Sequence, residues 1–161
     1  MFKKFFSVSE HIINLVLIFL MVILVISVML QVWTRYVTQR PLAWTEEVSR
    51  YVFIWISMLG GAIAVRDKSH LSIDDLVNKL PQIQRKIVGL GVNLIIAVFF
   101  IIMINSGFIL HTVTSDQPSV ILRIPMSIMY ISAPIGAFIS LLFLLDNSYD
   151  DIKGIIKRRQ Q

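Results

Sequence analysis

Apolar residues in this chain fall into four long runs, and most charged residues lie in the gaps between them. The first run extends from Ile12 to Leu30 and is broken only by Asn14 and Ser27. At about 1.5 Å per residue it crosses a hydrocarbon core of about 30 Å. Lys3 and Lys4 precede it in the manner of a secretory signal. The run is too long for one, however, and Gln31-Val32-Trp33-Thr34 offers no small-residue cleavage site, so the element is expected to stay as an anchor. In the second run the uncharged part, Tyr51 to Val65, is short for a full crossing. Counting back about twenty residues from Arg66 puts Glu46 and Glu47 at the outer boundary and Arg50 about a turn inside it. The third run, Ile87 to Leu110, and the fourth, Ile124 to Leu145, are each long enough to cross with some tilt. The pattern predicts one all-α integral membrane domain with spans near 12–32, 46–65, 87–110 and 124–145.

The gaps predict little independent structure. Ser72-Ile73-Asp74-Asp75 reads as a helix start, with Ser72 as cap and the two Asp residues at the positive end of the dipole. Ile73, Leu76, Val77 and Leu80 then share one face and Pro81 closes the element, which predicts a short amphipathic helix over 72–80 lying on the membrane surface. Phe2, Phe5 and Phe6 beside Lys3 and Lys4 point to a second interfacial stretch. The outer loop from His111 to Arg123 is polar, with Asp116, Gln117 and Pro118 as its turn.

Charge orients the bundle. Eleven Lys and Arg residues fall in the two terminal tails and the loop after the second span, against four in the other two loops. The positive-inside bias therefore places both termini of this multi-pass chain in the cytoplasm. The net charge of +5 comes from those basic rims and implies contact with phospholipid head groups, not with nucleic acid. Of the 161 residues 56% are hydrophobic and none is Cys, which is more apolar surface than a soluble domain of this size can bury.

An enzyme, pump or channel made from these helices needs ionisable groups near the bilayer midplane, and no Asp, Glu, Lys, Arg or His lies there. Asn93, Ser106 and Ser140 are the kind of residue that hydrogen-bonds between helices. His11, His70 and His111 do not gather at one depth, and with no Cys the chain is expected to hold no metal or cofactor. Small residues recur every four positions at Ser132, Gly136 and Ser140, at Ala133 and Ala137, and at Gly60 and Ala64. Such stripes let helices approach closely, either within this bundle or against another membrane subunit. Pro125 and Pro134 add a helix start and a kink. Arg50 follows Glu46 by four residues and Glu47 by three, so on a helix both carboxylates reach its guanidinium. That cluster is either a self-neutralised helix start, anchored by Trp44 and Tyr51, or a docking point for a partner. Arg66 and His70 have the same two readings at the inner rim.

The run Trp44-Thr45-Glu46-Glu47-Val48-Ser49-Arg50-Tyr51-Val52-Phe53-Ile54-Trp55 resembles the signature of the small membrane subunit of TRAP transporters, the tripartite ATP-independent periplasmic systems. The similarity continues through Gly60 and Ala64 to Arg66-Asp67-Lys68-Ser69-His70, and again at Leu122-Arg123-Ile124-Pro125 with Tyr130, Pro134 and Gly136. The resemblance implies a non-enzymatic subunit of a sodium-coupled importer for an organic acid such as a C4-dicarboxylate, a sugar acid or sialic acid. It further implies a large membrane subunit that carries substrate and sodium by an elevator motion, and a periplasmic substrate-binding protein that this chain helps to dock. The chain itself is then a scaffold, and Glu46, Glu47, Arg50, Tyr51, Trp55, Gly60, Ala64, Arg66, His70, Pro125, Ser132, Pro134, Gly136 and Ser140 are its candidate interface residues. Two other classes stay open: a self-sufficient four-helix transporter, which normally needs an acid deep in a span, and a cytochrome-type or anchor subunit, which needs paired His ligands.

Overall fold

A computed structural model describes the backbone of residues 2–67 and 82–159, and the side chains of residues 8–67, 88, 89 and 91–148. The expected surface helix over 72–80 and His70 lie outside these residues. The described chain is helical: α1 Phe2–Tyr36, α2 Ala43–Arg66, α3 Gln82–Thr114, a single-turn α4 Ser127–Tyr130, and α5 Ser132–Arg159. Four segments are long and apolar enough to cross a membrane: Val8–Tyr36, Ala43–Arg66, Gly91–Thr114 and Ser127–Ser148. Residues 2–7 continue α1 without a break, so the expected separate N-terminal stretch is the first turns of the anchor helix itself.

The helix ends follow from local chemistry. After Tyr36 the chain turns at Gln39, which adopts the left-handed φ of 53°, and Pro41 cannot donate to a continuing helix. Thr45 is fully buried, and its hydroxyl donates to the Leu42 carbonyl at 2.7 Å, tying down the start of α2. At the other end of α2 the last carbonyls lack intrahelical donors. Asn147 of α5 supplies them, its amide donating to the carbonyls of Val65 at 2.9 Å and Arg66 at 3.2 Å.

Between α3 and α4 the chain forms a small hairpin closed by the pairing of Pro118 with Pro125. The Ser119 amide donates to Ile124 O at 2.8 Å and the Met126 amide to Gln117 O at 2.9 Å, while Arg123 takes a left-handed φ of 54°. Ile124 and Pro125, which open the fourth apolar run, therefore belong to the hairpin and not to a helix. Pro125 still starts helical structure, since the Ile128 amide donates to its carbonyl at 3.2 Å. The expected kink lies at Pro134; the helix is interrupted at Ile131, between α4 and α5. Ile131 keeps helical dihedrals, φ −64° and ψ −20°, and Pro134, three residues on, has no N–H to donate back to the Tyr130 carbonyl.

In space, α1 packs on α2, α2 on α5, and α5 on α3. The last helix is thus central: 39% of its crossing segment is buried within the chain, against 6% for α3. Ala62, Val65, Phe143 and Leu144 form the buried core, with Ile13, Ile96 and Phe100 packed around it. Burial of apolar surface gives little drive when lipid is as apolar as leucine, so close backbone approach does the packing. A Cβ added at Gly136 would lie 2.9 Å from Met58 Cβ and 3.0 Å from the Met58 carbonyl oxygen, so α2 rides directly on this glycine. A Cβ at Gly107 of α3 would lie 2.5 Å from Pro134 Cδ. The stripe on α5 is consequently spent inside the chain, where Ser132, Ala137 and Ser140 are buried as well. Gly60 and Gly61 differ, because nothing in the described chain comes within 4 Å of a Cβ built there.

Gly136→Leu is expected to lower the thermal midpoint of the detergent-solubilised chain by an amount equivalent to about 1–3 kcal/mol, the cost of overpacking a tight contact. Gly60→Leu leaves the midpoint of the isolated chain unchanged. Tryptophan-monitored melting of both variants checks the contrast.

Candidate functional site

Polar side chains gather at the two ends of the bundle. At the end where α1 begins and α2 finishes, Arg66 is the hub. Its Nε donates to Glu10 of α1 at 3.4 Å, its Nη1 donates to Asp146 of α5, and its guanidinium lies 5.6 Å from the ring centroid of Phe143. Three helices are thereby tied at one point, and the Arg66 and Asp146 side chains are only 20% and 10% exposed. The same contacts place the start of α1 and the far part of α5 at one end of the bundle. Besides the two roles foreseen for Arg66, snorkelling or an inter-subunit contact, the structure gives it a third: the side chain is engaged with its own chain. Its partners are 56 and 80 residues away in sequence, so helical spacing does not reveal them. The available signal is depth: Glu10, Arg66 and Asp146 each stand at the edge of an apolar run.

At the hairpin end, Glu46 and Arg50 form the expected i, i+4 pair at 3.2 Å, with 63% and 62% of their side chains exposed. Glu47 does not join them. It is 8% exposed, and its Oε2 accepts the backbone N–H groups of Ile121 at 3.2 Å and Leu122 at 3.0 Å. The expectation that both carboxylates reach Arg50 is corrected on this point. One residue along a helix is a rotation of about 100°, so when Glu46 faces outward Glu47 faces the hairpin. Ser119, 3% exposed, adds a hydroxyl that accepts the Ile124 N–H at 3.1 Å and closes the hairpin on itself, while Glu47 fixes the hairpin against α2. Backbone placed this close to a membrane edge needs such partners, because lipid supplies none.

Other candidate residues are also occupied within the chain. Trp55 donates its indole N–H to Ile128 O at 3.1 Å, joining α2 to α4. Ser132 donates to Met129 O at 2.6 Å. Ser140, expected to bond between helices, instead donates to Gly136 O of its own helix at 2.8 Å. Asn93 does bond between helices, its amide donating to Ser148 Oγ of α5 at 3.1 Å. Trp44 is 41% exposed, as an interfacial anchor should be. Tyr51 is not such an anchor: its hydroxyl is buried and has no hydrogen-bond partner among the described residues. It lines a groove between α2 and the hairpin with Glu46, Arg50, Val120, Met126 and Tyr130. Ala64 is half-buried. No group of three His, Asp or Glu side chains stands together as a metal site among the described residues. The arrangement offers ion pairs that brace helices and an exposed charged pair beside an apolar groove.

Residues 24–154 match the family described as the DctQ component of tripartite ATP-independent periplasmic transporters. The chain belongs to this family. It is 26% identical over 156 residues to the sialic acid TRAP transporter small permease protein SiaQ of Vibrio cholerae, covering 97% of this chain and 88% of that one. To the C4-dicarboxylate TRAP transporter small permease protein DctQ of Rhodobacter capsulatus it is 32% identical over 101 residues, 60% of this chain and 43% of the relative. A shorter match, 36% identical over 77 residues, covers 48% of this chain and 12% of the sialic acid TRAP transporter permease protein SiaT of Haemophilus influenzae. As a TRAP small permease subunit the chain is a multi-pass membrane component of a transporter and not an enzyme. The Glu46-Glu47-x-x-Arg50 block therefore has two structural jobs in this chain: an outward ion pair from Glu46 and Arg50, and an inward clamp from Glu47.

Arg66→Met strands the mostly buried Asp146 carboxylate and is expected to destabilise the chain by on the order of 3 kcal/mol, while Arg66→Met with Asp146→Leu recovers most of that loss. Melting of the single and double variants in detergent tests it, and equal losses would contradict it. Glu47→Ala leaves two amides without acceptors at about 1–3 kcal/mol each. Glu46→Ala removes an exposed pair worth under about 1 kcal/mol. Hydrogen exchange at Ile121 and Leu122 is expected to accelerate in Glu47→Ala and to stay unchanged in Glu46→Ala.

Proposed function

We propose that this chain is the fixed, non-transporting partner in a sodium-coupled importer of an organic acid. In this arrangement a large permease subunit carries substrate and sodium, and the small subunit holds that permease's frame in the membrane. The observation that carries the proposal is how the buried charges are used: Glu47 clamps a hairpin, and Arg66 with Asp146 clamps three helices. Among the described residues none of these buried groups is left over for a cargo or a coupling cation. The short match to SiaT supports the choice of partner, since there a segment like this one occupies a small part of a much longer permease. The substrate class follows from relatives named for sialic acid and C4-dicarboxylates, which are carboxylates.

The basic residues of the tails and of the loop after α2 support an inner-membrane orientation with both termini cytoplasmic and the hairpin on the periplasmic side. The exposed Glu46–Arg50 pair and the groove beside Tyr51 then face the side from which a soluble substrate-binding protein arrives, and are proposed as part of its docking surface. On α2, Gly60 and Ala64 offer close approach to a helix of the large permease, while Gly136, Ser132, Pro134 and Ser140 are assigned to the chain's own bundle.

Uptake into proteoliposomes tests the division of labour. The large permease with this chain and a binding protein is expected to accumulate substrate on a sodium gradient, and this chain alone is expected to accumulate none. Transport by this chain alone, or undiminished transport without it, would overturn the proposal. In the complete system Arg50→Ala is expected to reduce uptake while leaving the melting point of the chain within experimental error.

A further inference from the structure

Two asparagines lie in α3, and the structure treats them differently. Asn93 reaches Ser148 of α5 at 3.1 Å. Asn105 points out of the bundle, exposed, and has no hydrogen-bond partner among the described residues. Nine residues separate it from Thr114, where the crossing segment Gly91–Thr114 ends, which at about 1.5 Å per residue is about 14 Å from that edge. Half of a 30 Å hydrocarbon core is about 15 Å, so the free amide stands close to the midplane.

An amide there has two donors and an acceptor that acyl chains cannot satisfy. In a membrane such a group is bonded by another helix, and it gives specificity to an otherwise apolar contact. Its surroundings have that form. One turn away on either side, Ile102 and Ile109 are 58% and 66% exposed, and Phe108 is 52% exposed. Ser106 is exposed next to it. The face is thus a broad apolar ridge with a hydrogen-bonding peg near its middle, Asn105 with Ser106 beside it. Bilayer lipid matches the ridge and not the peg, whereas a protein helix matches both.

We propose that this face of α3, centred on Asn105, is a docking surface for a transmembrane helix of the large permease subunit, and that the helix presents a hydrogen-bonding side chain or a backbone carbonyl to the Asn105 amide at mid-membrane depth. The inference rests on the proposed function for the identity of the partner, and goes beyond it by naming a face that neither the small-residue stripes nor the charged clusters mark. A second copy of this chain, bonding Asn105 to Asn105, is the rival occupant.

The test co-expresses the full chain with its large permease and measures recovery of the permease on the tagged small subunit in detergent. Asn105→Leu is expected to lose most of the recovered permease while the variant alone melts as the wild type does, because the amide has no partner of its own to lose. Asn105→Gln, which keeps an amide, is expected to restore part of the recovery. The chain has no Cys, so Ile109→Cys adds a single thiol for a short bifunctional crosslinker, and the expected adduct is with the permease. Wild-type recovery with Asn105→Leu, or an adduct joining two small subunits, would overturn the proposed face while leaving the scaffold function intact. Failure of the wild-type chain to recover any permease would overturn both.

Discussion

A polar group at the edge or interior of a bilayer must find its partner within protein, since the surrounding solvent offers neither donors nor acceptors. The fold described here is organised around that demand. At one end Arg66 answers Glu10 and Asp146, and Asn147 of α5 caps the last carbonyls of α2. At the other, Glu47 answers two hairpin amides and Ser119 a third. The helices between these two ends have almost no hydrophobic reason to associate, and they are held by close backbone approaches at Gly136 on Met58 and Gly107 on Pro134. The polar ends fix register and the glycines fix distance.

How much of this was legible beforehand depends on how local each interaction is. The four spans were readable, because length and apolar composition suffice to identify a crossing helix. The Glu46–Arg50 pair was readable because its partners are one turn apart on the same helix. The inward turn of Glu47 was not, since its partners lie 74 and 75 residues further along in a loop whose hairpin carries no strong turn signature. Gly60 and Gly136 look alike in sequence, each belonging to a small-residue stripe, yet Gly136 carries a neighbouring helix on its surface and Gly60 faces open space. Asn93 and Asn105 diverge in the same way. In each pair, tertiary placement and not residue type separates an internal contact from an unfilled one.

That separation bears on what the subunit does. Of the candidate interface residues, Trp55, Arg66, Ser132, Pro134, Gly136 and Ser140 are used to build the chain itself. Among the described residues, the Glu46–Arg50 pair with its groove, the open face at Gly60 and the α3 ridge around Asn105 face outward. In the proposed role, a small permease subunit arranged like this brings to its transporter a frame whose helices are tied at both ends by its own polar side chains.

The most direct test replaces the Arg66 hub by uncharged side chains of similar size, Glu10→Gln, Arg66→Met and Asp146→Asn together, in the assembled transporter. A subunit that only braces its partner keeps the apparent affinities for substrate and for the coupling cation unchanged wherever the complex assembles. A shift in either affinity, in complexes of normal composition, would show that these charges take part in transport and would contradict the bracing role.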